Sequence, residues 1–507
     1  MLRKIRIILA ALCFASVTLL FLDFTGTVHA YLGWTAKIQL LPAVLALNAG
    51  VVIALGLLTL LLGRIYCSII CPLGVMQDIM AWCGRKAKKN RYKYSPAKNV
   101  LRTVMLVLFV AAMVAGFVSA AALIAPYSAY GRIAQNLFAP VWQAGNNLLA
   151  YFAERADSYA FYTTDIWIRG IGTFAIAAVT FAVLWVLAWR NGRTWCNTVC
   201  PVGTVLGFLS KWSLFRPVID TSKCNGCGKC ARNCKAACID SKSHAIDYTR
   251  CVVCMDCLEQ CKQGAIIFEP RHVTRAIERA EQIAAERKAG GNDSGNEEGM
   301  TRRKFLAVTA MMTVATAVKA QEKTVDGGLA VIEDKKIPNR KTPLVPAGAR
   351  SLRHFGQHCT GCQLCVSVCP NGVLRPSQRL DSLMQPEMSF ERGYCRPECT
   401  KCSEVCPSGA IRRVDRPEKS STQTGHAVWV RENCVPLTNG DSCGNCARHC
   451  PAGAIAMVLS DPSNQESLRI PAVDTERCIG CGACENLCPA RPFSAIYVEG
   501  HEVHRTI

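Results

Sequence analysis

The sequence predicts an α-helical membrane domain of four helices, followed by small α+β modules organised around cysteines. Half of the 507 residues are hydrophobic, and the longest apolar runs lie before residue 190. The 31 cysteines recur at short, repeated spacings. They fall into two groups along the chain, and a polar stretch that contains one short apolar run separates these groups. A chain of this length is expected to hold more than one domain.

Four apolar stretches have about the length of a membrane-spanning helix. They cover residues 7–22, 40–62, 104–125 and 170–189. A helix needs about 20 apolar residues to cross a hydrocarbon core of ~30 Å. We therefore expect residues 1–215 to form a four-helix domain in a bacterial inner membrane.

Positive charge is concentrated in the first part of the chain. Residues 1–320 hold 36 of the 58 Lys and Arg but only 17 of the 37 Asp and Glu. The excess flanks apolar runs, in segments 1–6 and 63–99, whereas segment 126–169 is balanced. The positive-inside rule therefore places the N-terminus and segment 63–99 in the cytoplasm. This flanking pattern argues against a nucleic-acid partner.

One pattern occurs twice at the predicted cytoplasmic border of the membrane. Gly-Arg-x-aromatic-Cys-x3-Cys-Pro-x-Gly spans residues 63–74 and 192–203 and forms an internal repeat. Cysteines four residues apart can share one helical face, so the pairs Cys67/Cys71 and Cys196/Cys200 allow a dithiol, a metal clip or plain packing. Because free cysteine is among the most buried residue types, a redox or electron-relay role and a structural role both stay open.

Two cysteine runs in residues 216–270 follow Cys-x2-Cys-x2-Cys-x3-Cys. In bacterial ferredoxins of this spacing, three thiolates hold one [4Fe-4S] cluster and the fourth reaches the neighbouring cluster. A third close cysteine argues against zinc, which usually takes two spaced pairs. The expected ligand sets are Cys224/Cys227/Cys230/Cys261 and Cys251/Cys254/Cys257/Cys234. We predict a cytoplasmic 2x[4Fe-4S] ferredoxin domain, with Cys238 as a buried neighbour rather than a ligand.

Residues 351–507 hold four more quartets, each ending in Cys-x2-Cys-x3-Cys-Pro. They are Cys359/Cys362/Cys365/Cys369, Cys395/Cys399/Cys402/Cys406, Cys434/Cys443/Cys446/Cys450 and Cys478/Cys481/Cys484/Cys488. Insertions after the first cysteine of the second and third quartets can loop outwards, so we predict a 4x[4Fe-4S] domain and six clusters in total. The fourth cysteines either exchange between neighbouring motifs or form a nested arrangement. His354, His358 and His449 are expected to face solvent or to support ligands.

Segment 301–320 has the features of a twin-arginine export signal. Arg302 and Arg303 precede a charge-free run at 305–318, which is short for a membrane span and ends in Val-Lys-Ala. A linker at 271–300 and an extended tether at 321–350 are expected on either side. An unfolded export route would expose bare thiols to an oxidising space, whereas twin-arginine export carries folded proteins. We therefore expect the C-terminal domain to be periplasmic.

The first half resembles the NapH/MauN family of membrane quinol dehydrogenase components, which are similar to the membrane core of the NosR family. The second half resembles the NapG/MauM ferredoxin-type proteins. A fusion of two such polypeptides explains an export signal in mid-chain. The resemblance implies that quinol is oxidised in or near the membrane part, and that electrons leave through periplasmic clusters to a cytochrome or terminal reductase. His29, Tyr31 and Trp34, in the first outer loop, are the candidates for the quinone site.

The expected function is membrane-bound electron transfer from the quinone pool to a periplasmic partner, with quinol dehydrogenase activity as its enzymatic part. Two alternatives are a maturation or maintenance factor for a respiratory metalloenzyme, of the CcoG type, and a cytoplasm-facing carrier linked to ferredoxin. The chain has no Cys-x-x-Cys-His, so covalently attached haem is not expected.

The predicted arrangement places two clusters inside and four outside an apolar layer of ~30 Å. Electron tunnelling falls exponentially with distance. Either quinol bridges this gap, or the pairs Cys67/Cys71 and Cys196/Cys200 hold something that does.

Overall fold

The structure is a computed structural model that describes residues 1–23, 26–87, 92–168, 170–271 and 333–507. It also gives the backbone of two short paired strands, β5 (Thr324–Val325) and β6 (Ala330–Val331). The predicted export signal at 301–320 and nearly all of the linker at 271–300 lie outside the described residues. Most of the predicted tether up to residue 332 lies outside them as well.

Residues 1–214 form a helical domain. Its helices are α1 (Leu2–Leu22), α2 (Thr27–Leu32), α3 (Trp34–Lys37), α4 (Leu40–Leu45), α5 (Ala49–Leu62), α6 (Tyr66–Ile69), α7 (Pro72–Lys86), α8 (Asn99–Val114), α9 (Val118–Ile124), α10 (Pro126–Ile133), α11 (Ala139–Arg155), α12 (Ile171–Asn191), α13 (Thr194–Thr198) and α14 (Pro201–Ser210). A π-helical turn joins α10 to α11. Helix α7 packs against α1, α10 and α12, and so lies at the centre.

Two of the four predicted spans are continuous helices and two are interrupted. Helices α1 and α12 have 21 residues each and mean hydropathies of 2.5 and 2.3, which suffice to cross a membrane. The stretch at 40–62 breaks between α4 and α5, where Leu47 takes a φ of 53° and Asn48 caps α5. The stretch at 104–125 breaks between α8 and α9, at Gly116 with a φ of 84°.

The long helices present large apolar side chains to the outside of the molecule. Leu12 of α1, Ile53 of α5, Leu108 of α8 and Val179 of α12 are each 59–61% exposed. Contiguous apolar surface of this kind marks contact with a membrane or a partner. Together with the two spanning-length helices, this surface indicates a membrane-associated protein.

The repeated motif forms two copies of one local structure. A glycine with positive φ ends the long helix in each copy, Gly63 after α5 and Gly192 after α12. The short helices α6 and α13 follow, and a proline then begins α7 and α14. Proline favours this first helical position because its missing N–H has no partner there in any case. The internal repeat predicted from the sequence is thus confirmed as a structural repeat.

Residues 215–270 form a small α+β module. Strand β1 (Phe215–Ile219) pairs antiparallel with β4 (Ile266–Pro270), from Phe215 opposite Pro270 to Ile219 opposite Ile266. Strands β2 (Ile239–Asp240) and β3 (Ala245–Ile246) form a second pair. The helices α15 (Lys229–Asn233) and α16 (Asp256–Gln260) contact each other, each inside a cysteine run.

The C-terminal domain consists of short helices and three further two-stranded sheets. Its strands are paired as β7 (Leu374–Pro376) with β8 (Pro386–Met388), β9 (Thr422–Trp429) with β12 (Ile496–Thr506), and β10 (Ile455–Leu459) with β11 (Arg469–Val473). Its α-helices are α17 (Leu352–His358), α18 (Leu364–Ser367), α19 (Lys401–Val405), α20 (Arg416–Ser421), α21 (Val435–Thr438), α22 (Asn445–Arg448) and α23 (Ala483–Leu487). Residues 333–350 pack onto this domain, with Leu344 and Ala349 buried, so the folded unit begins before residue 351.

The two cysteine-rich parts lie at opposite ends of α1. Near its start, Arg3 Nε donates to Asp256 Oδ1 of the first module at 2.8 Å. Near its end, Phe21 and Cys362 of the C-terminal domain both flank Gly131. At a rise of ~1.5 Å per residue, Arg3 and Phe21 are ~27 Å apart along the helix. This separation is close to the ~30 Å of a hydrocarbon core.

Packing at Gly131 predicts that Gly131→Ala loosens the contact between the helical domain and the C-terminal domain. A Cβ atom there would lie 2.4 Å from Cys362 O and 2.8 Å from Phe21 Cζ. We expect a loss of about 1–3 kcal/mol in stability, as is typical of overpacking, measured by thermal unfolding in detergent. Gly145→Ala on α11 is the matched control, because a Cβ there meets nothing within 4 Å. Equal melting temperatures for the two variants would contradict the packing.

Candidate electron-transfer centres

The fold brings the 24 quartet cysteines together in six groups of four, which we call sites 1 to 6. Site 1 is Cys224, Cys227, Cys230 and Cys261; site 2 is Cys251, Cys254, Cys257 and Cys234; site 3 is Cys359, Cys362, Cys365 and Cys406; site 4 is Cys395, Cys399, Cys402 and Cys369; site 5 is Cys478, Cys481, Cys484 and Cys450; site 6 is Cys434, Cys443, Cys446 and Cys488. Four thiolates are the donor set of a [4Fe-4S] cluster, so each group suits one.

The cysteines of sites 1 and 2 are grouped as the spacing predicts. The four thiols of site 1 line one cavity of about 110 Å³. Those of site 2 line a second cavity, and Cys238 lies with them. The Sγ atom of Cys238 is 3.5 Å from that of Cys234, and Cys238 is 1% exposed. Cys238 is therefore a buried neighbour of site 2, where the sequence analysis placed it.

In the C-terminal domain, the fourth cysteine of each quartet joins the neighbouring motif. Cys406 lies close to the first three cysteines of site 3, and Cys369 lies close to Cys395 and Cys402 of site 4. Cys450 joins site 5 and Cys488 joins site 6 in the same way. Of the two arrangements left open by the sequence, the structure has the exchange between neighbours, first with second and third with fourth.

The four C-terminal sites follow one another in space. Site 3 lies against the helical domain, where Asn136 Nδ2 donates to Gln363 Oε1 at 3.0 Å. Sites 3 and 4 share their crossed cysteines, as do sites 5 and 6. Sites 4 and 5 meet where the Cys395 N–H donates to Cys481 O at 2.9 Å. Site 6 ends the series beside the exposed segment 437–442.

The backbone of the regular motifs needs positive φ angles between the cysteines. In site 5, Gly480 and Gly482 take φ values of 74° and 77°, and a Cβ on Gly482 would lie 2.3 Å from the Phe390 ring. Glycine meets this requirement without steric cost. In site 2, Val253 takes a φ of 51°, which is unusual for a β-branched residue.

A buried lysine and a half-buried one place positive charge beside the C-terminal sites. Lys419 is 6% exposed and donates from Nζ to the carbonyl oxygens of Arg396 and Cys399, next to site 4. Lys335 donates to three carbonyl oxygens around site 6, including Cys488 O at 3.0 Å. Burial and Arg491 lower the pKa of Lys335 to about 8. Positive charge and hydrogen bonds near a cluster favour its reduced form.

The cysteines of the two Cys-x3-Cys-Pro motifs also come together. Cys67, Cys71, Cys196 and Cys200 form what we call the central thiol site, and each is 4–5% exposed. Cys200 interacts electrostatically with the other three, and Cys71 with Cys67 and Cys196. The sequence singled out two separate pairs, but the repeat brings them into one buried group.

Two motif arginines connect the halves of the central thiol site. Arg64 Nη1 donates to Asn197 Oδ1 at 2.8 Å, and its Nη2 donates to Cys196 O at 3.1 Å. Arg193 of the second copy donates from Nη1 to Cys67 O at 2.8 Å. Both arginines have no exposed surface. Each copy of the motif thus fixes the backbone of the other.

A buried ion cluster lies between the central thiol site and site 2. Asp78 accepts from Arg193 at 2.7 Å and from Arg6 at 3.0 Å, and Lys235 Nζ is 3.1 Å away. Lys235 also pairs with Asp256 at 3.0 Å. Burial works to raise the pKa of Asp78, but these positive charges outweigh it and hold the pKa well below its usual range. Asp78 is therefore a fixed negative charge near neutral pH.

The three quinone-site candidates have different environments. His29 Nδ1 lies 3.0 Å from Asp23 Oδ2, and the side chain is largely buried. Its Nε2 is buried without a hydrogen-bond partner among the described residues. Tyr31 and Trp34 are 81% and 59% exposed on the apolar surface. Of the three, the structure gives His29 the environment of a reactive group.

The histidines near the cysteines pair with the backbone. His354, His358 and His449 each hold a carbonyl oxygen through Nδ1 at 2.9–3.0 Å. Sequence reasoning missed a second pair, His426 and His501, whose ring nitrogens lie 2.9 Å apart on β9 and β12. No sequence spacing indicates this pair, because it depends on the register of two strands far apart in the chain.

Two domain families match the chain. A 4Fe-4S binding domain matches residues 44–90 and 171–219, and a 4Fe-4S dicluster domain matches residues 358–410 and 441–491. The methylamine utilization ferredoxin-type protein MauM of Methylobacillus flagellatus is 32% identical over 173 residues, which are 32% of this chain and 70% of that protein. The chain belongs to the MauM family of ferredoxin-type proteins.

This MauM-family chain also has relatives of a second type. The ferredoxin-type protein NapH of Escherichia coli is 26% identical over 38% of the chain and 55% of its own length. MauN of Paracoccus denitrificans is 25% identical over 40% of the chain and 57% of its own length. The matches fit a NapH/MauN-like part fused to a NapG/MauM-like part, and they support an iron–sulfur electron-transfer protein. No solved structure matches the chain significantly.

The crossed ligands of the MauM-family domain can be tested by electron paramagnetic resonance of single variants. Cys406→Ala and Cys362→Ala should perturb the same reduced-cluster signal, because both residues belong to site 3. Cys402→Ala should perturb a different one. If Cys406→Ala instead gave the spectrum of Cys402→Ala, each quartet would hold its own cluster and the exchange would be wrong.

Proposed function

We propose that the protein oxidises quinol at the end of the helical domain that faces the C-terminal domain. The electrons then leave through sites 3, 4, 5 and 6 to a periplasmic cytochrome or reductase. The observation that carries this proposal is the continuous series of four sites, which begins against the helical domain and ends beside an exposed segment. Iron–sulfur clusters at these sites would carry one electron at a time.

Site 3 is the entry of this series. A Cβ on Gly131 of α10 would lie 2.4 Å from Cys362 O, so site 3 packs directly on the helical domain. A Cβ on Gly26 would lie 3.3 Å from Lys401 Nζ, and Lys401 precedes Cys402 of site 4, so the loop that carries His29 lies against the C-terminal domain. A quinol bound beside His29 would therefore lie close to this cysteine-rich domain.

His29 suits the removal of a proton from quinol. Burial lowers its pKa below 6.5, Lys401 lowers it further, and Asp23 partly offsets both. The imidazole is therefore neutral near pH 7. Since Nδ1 is held by Asp23, the second nitrogen is left to accept a proton. Oxidation of one quinol releases two electrons and two protons, and site 3 would take the electrons singly.

The apolar surface around this end suits a lipid-soluble substrate. Tyr31 and Trp34 present aromatic rings on the outside of the helical domain close to His29. Aromatic residues are enriched at membrane–water interfaces, where quinol headgroups also lie. This surface supports quinol rather than a soluble metabolite as the electron donor.

The separation of the two cysteine-rich parts supports opposite membrane sides for them, and therefore a periplasmic acceptor. Helix α1 separates them by ~27 Å, and basic residues of α7 lie at the same end as the first module. The proposed sidedness also agrees with the export signal that the sequence predicts at 301–320.

Replacing His29 tests the quinol site. We expect His29→Gln to slow quinol-dependent reduction of the C-terminal clusters by about 10²-fold, as is typical for loss of a general base. Reduction by dithionite should be unchanged. His449→Gln, at an exposed histidine, is the control. In the wild type, the quinol-dependent rate should fall in acid with a midpoint below 6.5, because protonated His29 cannot accept a proton. A normal quinol rate in His29→Gln would remove His29 from the mechanism.

Reporter fusions test the sidedness. A periplasm-dependent reporter joined after Ile507 should be active, and the same reporter joined after Pro270 should be inactive. Site-directed biotinylation of intact cells at segment 437–442 gives an independent readout. Activity of both fusions, or of neither, would place both cysteine-rich parts on one side and overturn the proposal in favour of a cytoplasm-facing carrier.

A further inference from the structure

We propose that the central thiol site, Cys67, Cys71, Cys196 and Cys200, holds a seventh [4Fe-4S] cluster, built from both copies of the repeat. The domain match at 44–90 and 171–219 covers these four cysteines and none of those in sites 1 and 2. That match names a type of domain and assigns no residues. The assignment of the ligands rests on the charges, orphaned donors and burial around the four sulfurs.

The arrangement of the four cysteines is symmetric. Each motif supplies one cysteine from a short helix, Cys67 or Cys196, and one that directly precedes the proline of the next helix, Cys71 or Cys200. A Cβ on Gly74 would meet Cys67 O at 2.2 Å, and a Cβ on Gly203 would meet Cys196 O at 2.2 Å. The two glycines therefore let each helix approach its own cysteine loop in the same way.

The buried positive charge beside the four thiols would be balanced by an anion bound among them. Arg193 is balanced by Asp78 at 2.7 Å. Arg64 is fully buried and pairs with no carboxylate among the described residues, since its acceptors are Asn197 Oδ1 and carbonyl oxygens. An uncompensated buried charge is costly. Four neutral thiols would leave Arg64 unbalanced, whereas a cubane held by four thiolates carries net negative charge and balances it.

Three buried donors beside the sulfurs have no partner in the described part of the chain. They are Arg64 Nε, Arg193 Nη2 and Gln77 Nε2. Their side chains already touch the thiols: Arg64 Nη2 lies 3.9 Å from Cys67 Sγ, Arg193 Nη1 lies 3.9 Å from Cys196 Sγ, and Gln77 Oε1 accepts from Cys196 Sγ at 3.4 Å. Cluster sulfurs accept N–H hydrogen bonds, so the same cluster that balances Arg64 also satisfies these donors.

A single metal ion fits less well than a cluster. Within the described residues, no group of three or more His, Cys, Asp or Glu side chains is gathered closely enough for one ion. This holds equally for sites 1 to 6. A cubane has a core of eight atoms and spreads its four thiolate ligands around that core, so its ligands lie farther apart than those of a single ion.

The central thiol site lies between the two cysteine-rich parts. On one side, Asp78 and Lys235 connect it to Cys254 of site 2. On the other, Tyr66 interacts with Cys71 and with Tyr127, and Tyr127 interacts with Cys362 and Cys406 of site 3. A cluster here would divide the gap between sites 2 and 3 into two shorter steps. Each step moves one electron and breaks no bond. The proposed quinol route enters at site 3 and does not use this link, so the cluster assignment is independent of the proposed function.

Iron and acid-labile sulfide analysis of the full-length protein tests the assignment independently of quinol oxidation. Cys67→Ser/Cys196→Ser should contain four fewer iron and four fewer sulfide per chain than Cys83→Ser, the control at a half-buried cysteine of α7 outside all seven sites. Mössbauer spectra should lose one cubane component. Equal iron in the two variants would overturn the proposal, and so would a Cys67–Cys71 or Cys196–Cys200 disulfide in the native protein.

A second variant keeps the proposal testable if the double cysteine variant fails to fold. Arg64→Gln keeps all four thiols but removes a positive charge beside them. In a redox titration followed by electron paramagnetic resonance, it should lower the midpoint potential of one signal, because the reduced cluster loses an electrostatic partner. Arg64→Lys should shift the same signal less. If Arg64→Gln leaves every signal in place, no cluster lies beside Arg64.

Discussion

The exchange of cysteines between motifs is the constraint on which this protein depends. Sites 1 and 2, 3 and 4, and 5 and 6 each exchange their fourth cysteines, so each site of a pair needs one cysteine from the motif of the other. The helical domain repeats this principle with arginines, since Arg64 and Arg193 each hold the backbone of the opposite motif. Every centre is thus assembled from two stretches of chain, and its neighbour lies at a distance that the fold determines.

Burial explains why these interactions determine the arrangement. Asp78, Arg193, Lys235 and Asp256 alternate in sign and are largely buried between α7 and the first module. A buried charge must be paired, and removal of one member leaves its partner exposed to the full desolvation cost. This network therefore fixes how the first module sits on the helical domain. At the other end of α1, small residues such as Gly131 fix the position of the C-terminal domain, because they allow its backbone to approach the helical domain closely.

The sequence predicted what local spacing controls. The quartets of sites 1 and 2 and the repeated motif were readable because their residues follow each other within a few positions. The sequence could not predict which fourth cysteine joins which motif in sites 3 to 6. Both exchange patterns use the same spacing, and only tertiary packing distinguishes them. The sequence did not predict the helix breaks at Leu47 and Gly116, because the apolar composition continues across both positions. The union of the two Cys-x3-Cys pairs also depends on packing, since 125 residues separate Cys71 from Cys196.

A single chain gives this arrangement an advantage that two separate proteins lack. The first module is anchored by Arg3 and Lys235, and the C-terminal domain is anchored around Gly131 and by Trp167, which stacks between Arg375 and Arg392 at 4.4 and 4.5 Å. Two proteins that meet by diffusion would lose translational freedom at every encounter. In the fused chain that entropy is lost once, on folding. Because tunnelling depends exponentially on distance, a fixed contact between site 3 and the helical domain would hold constant the distance of any electron transfer across it.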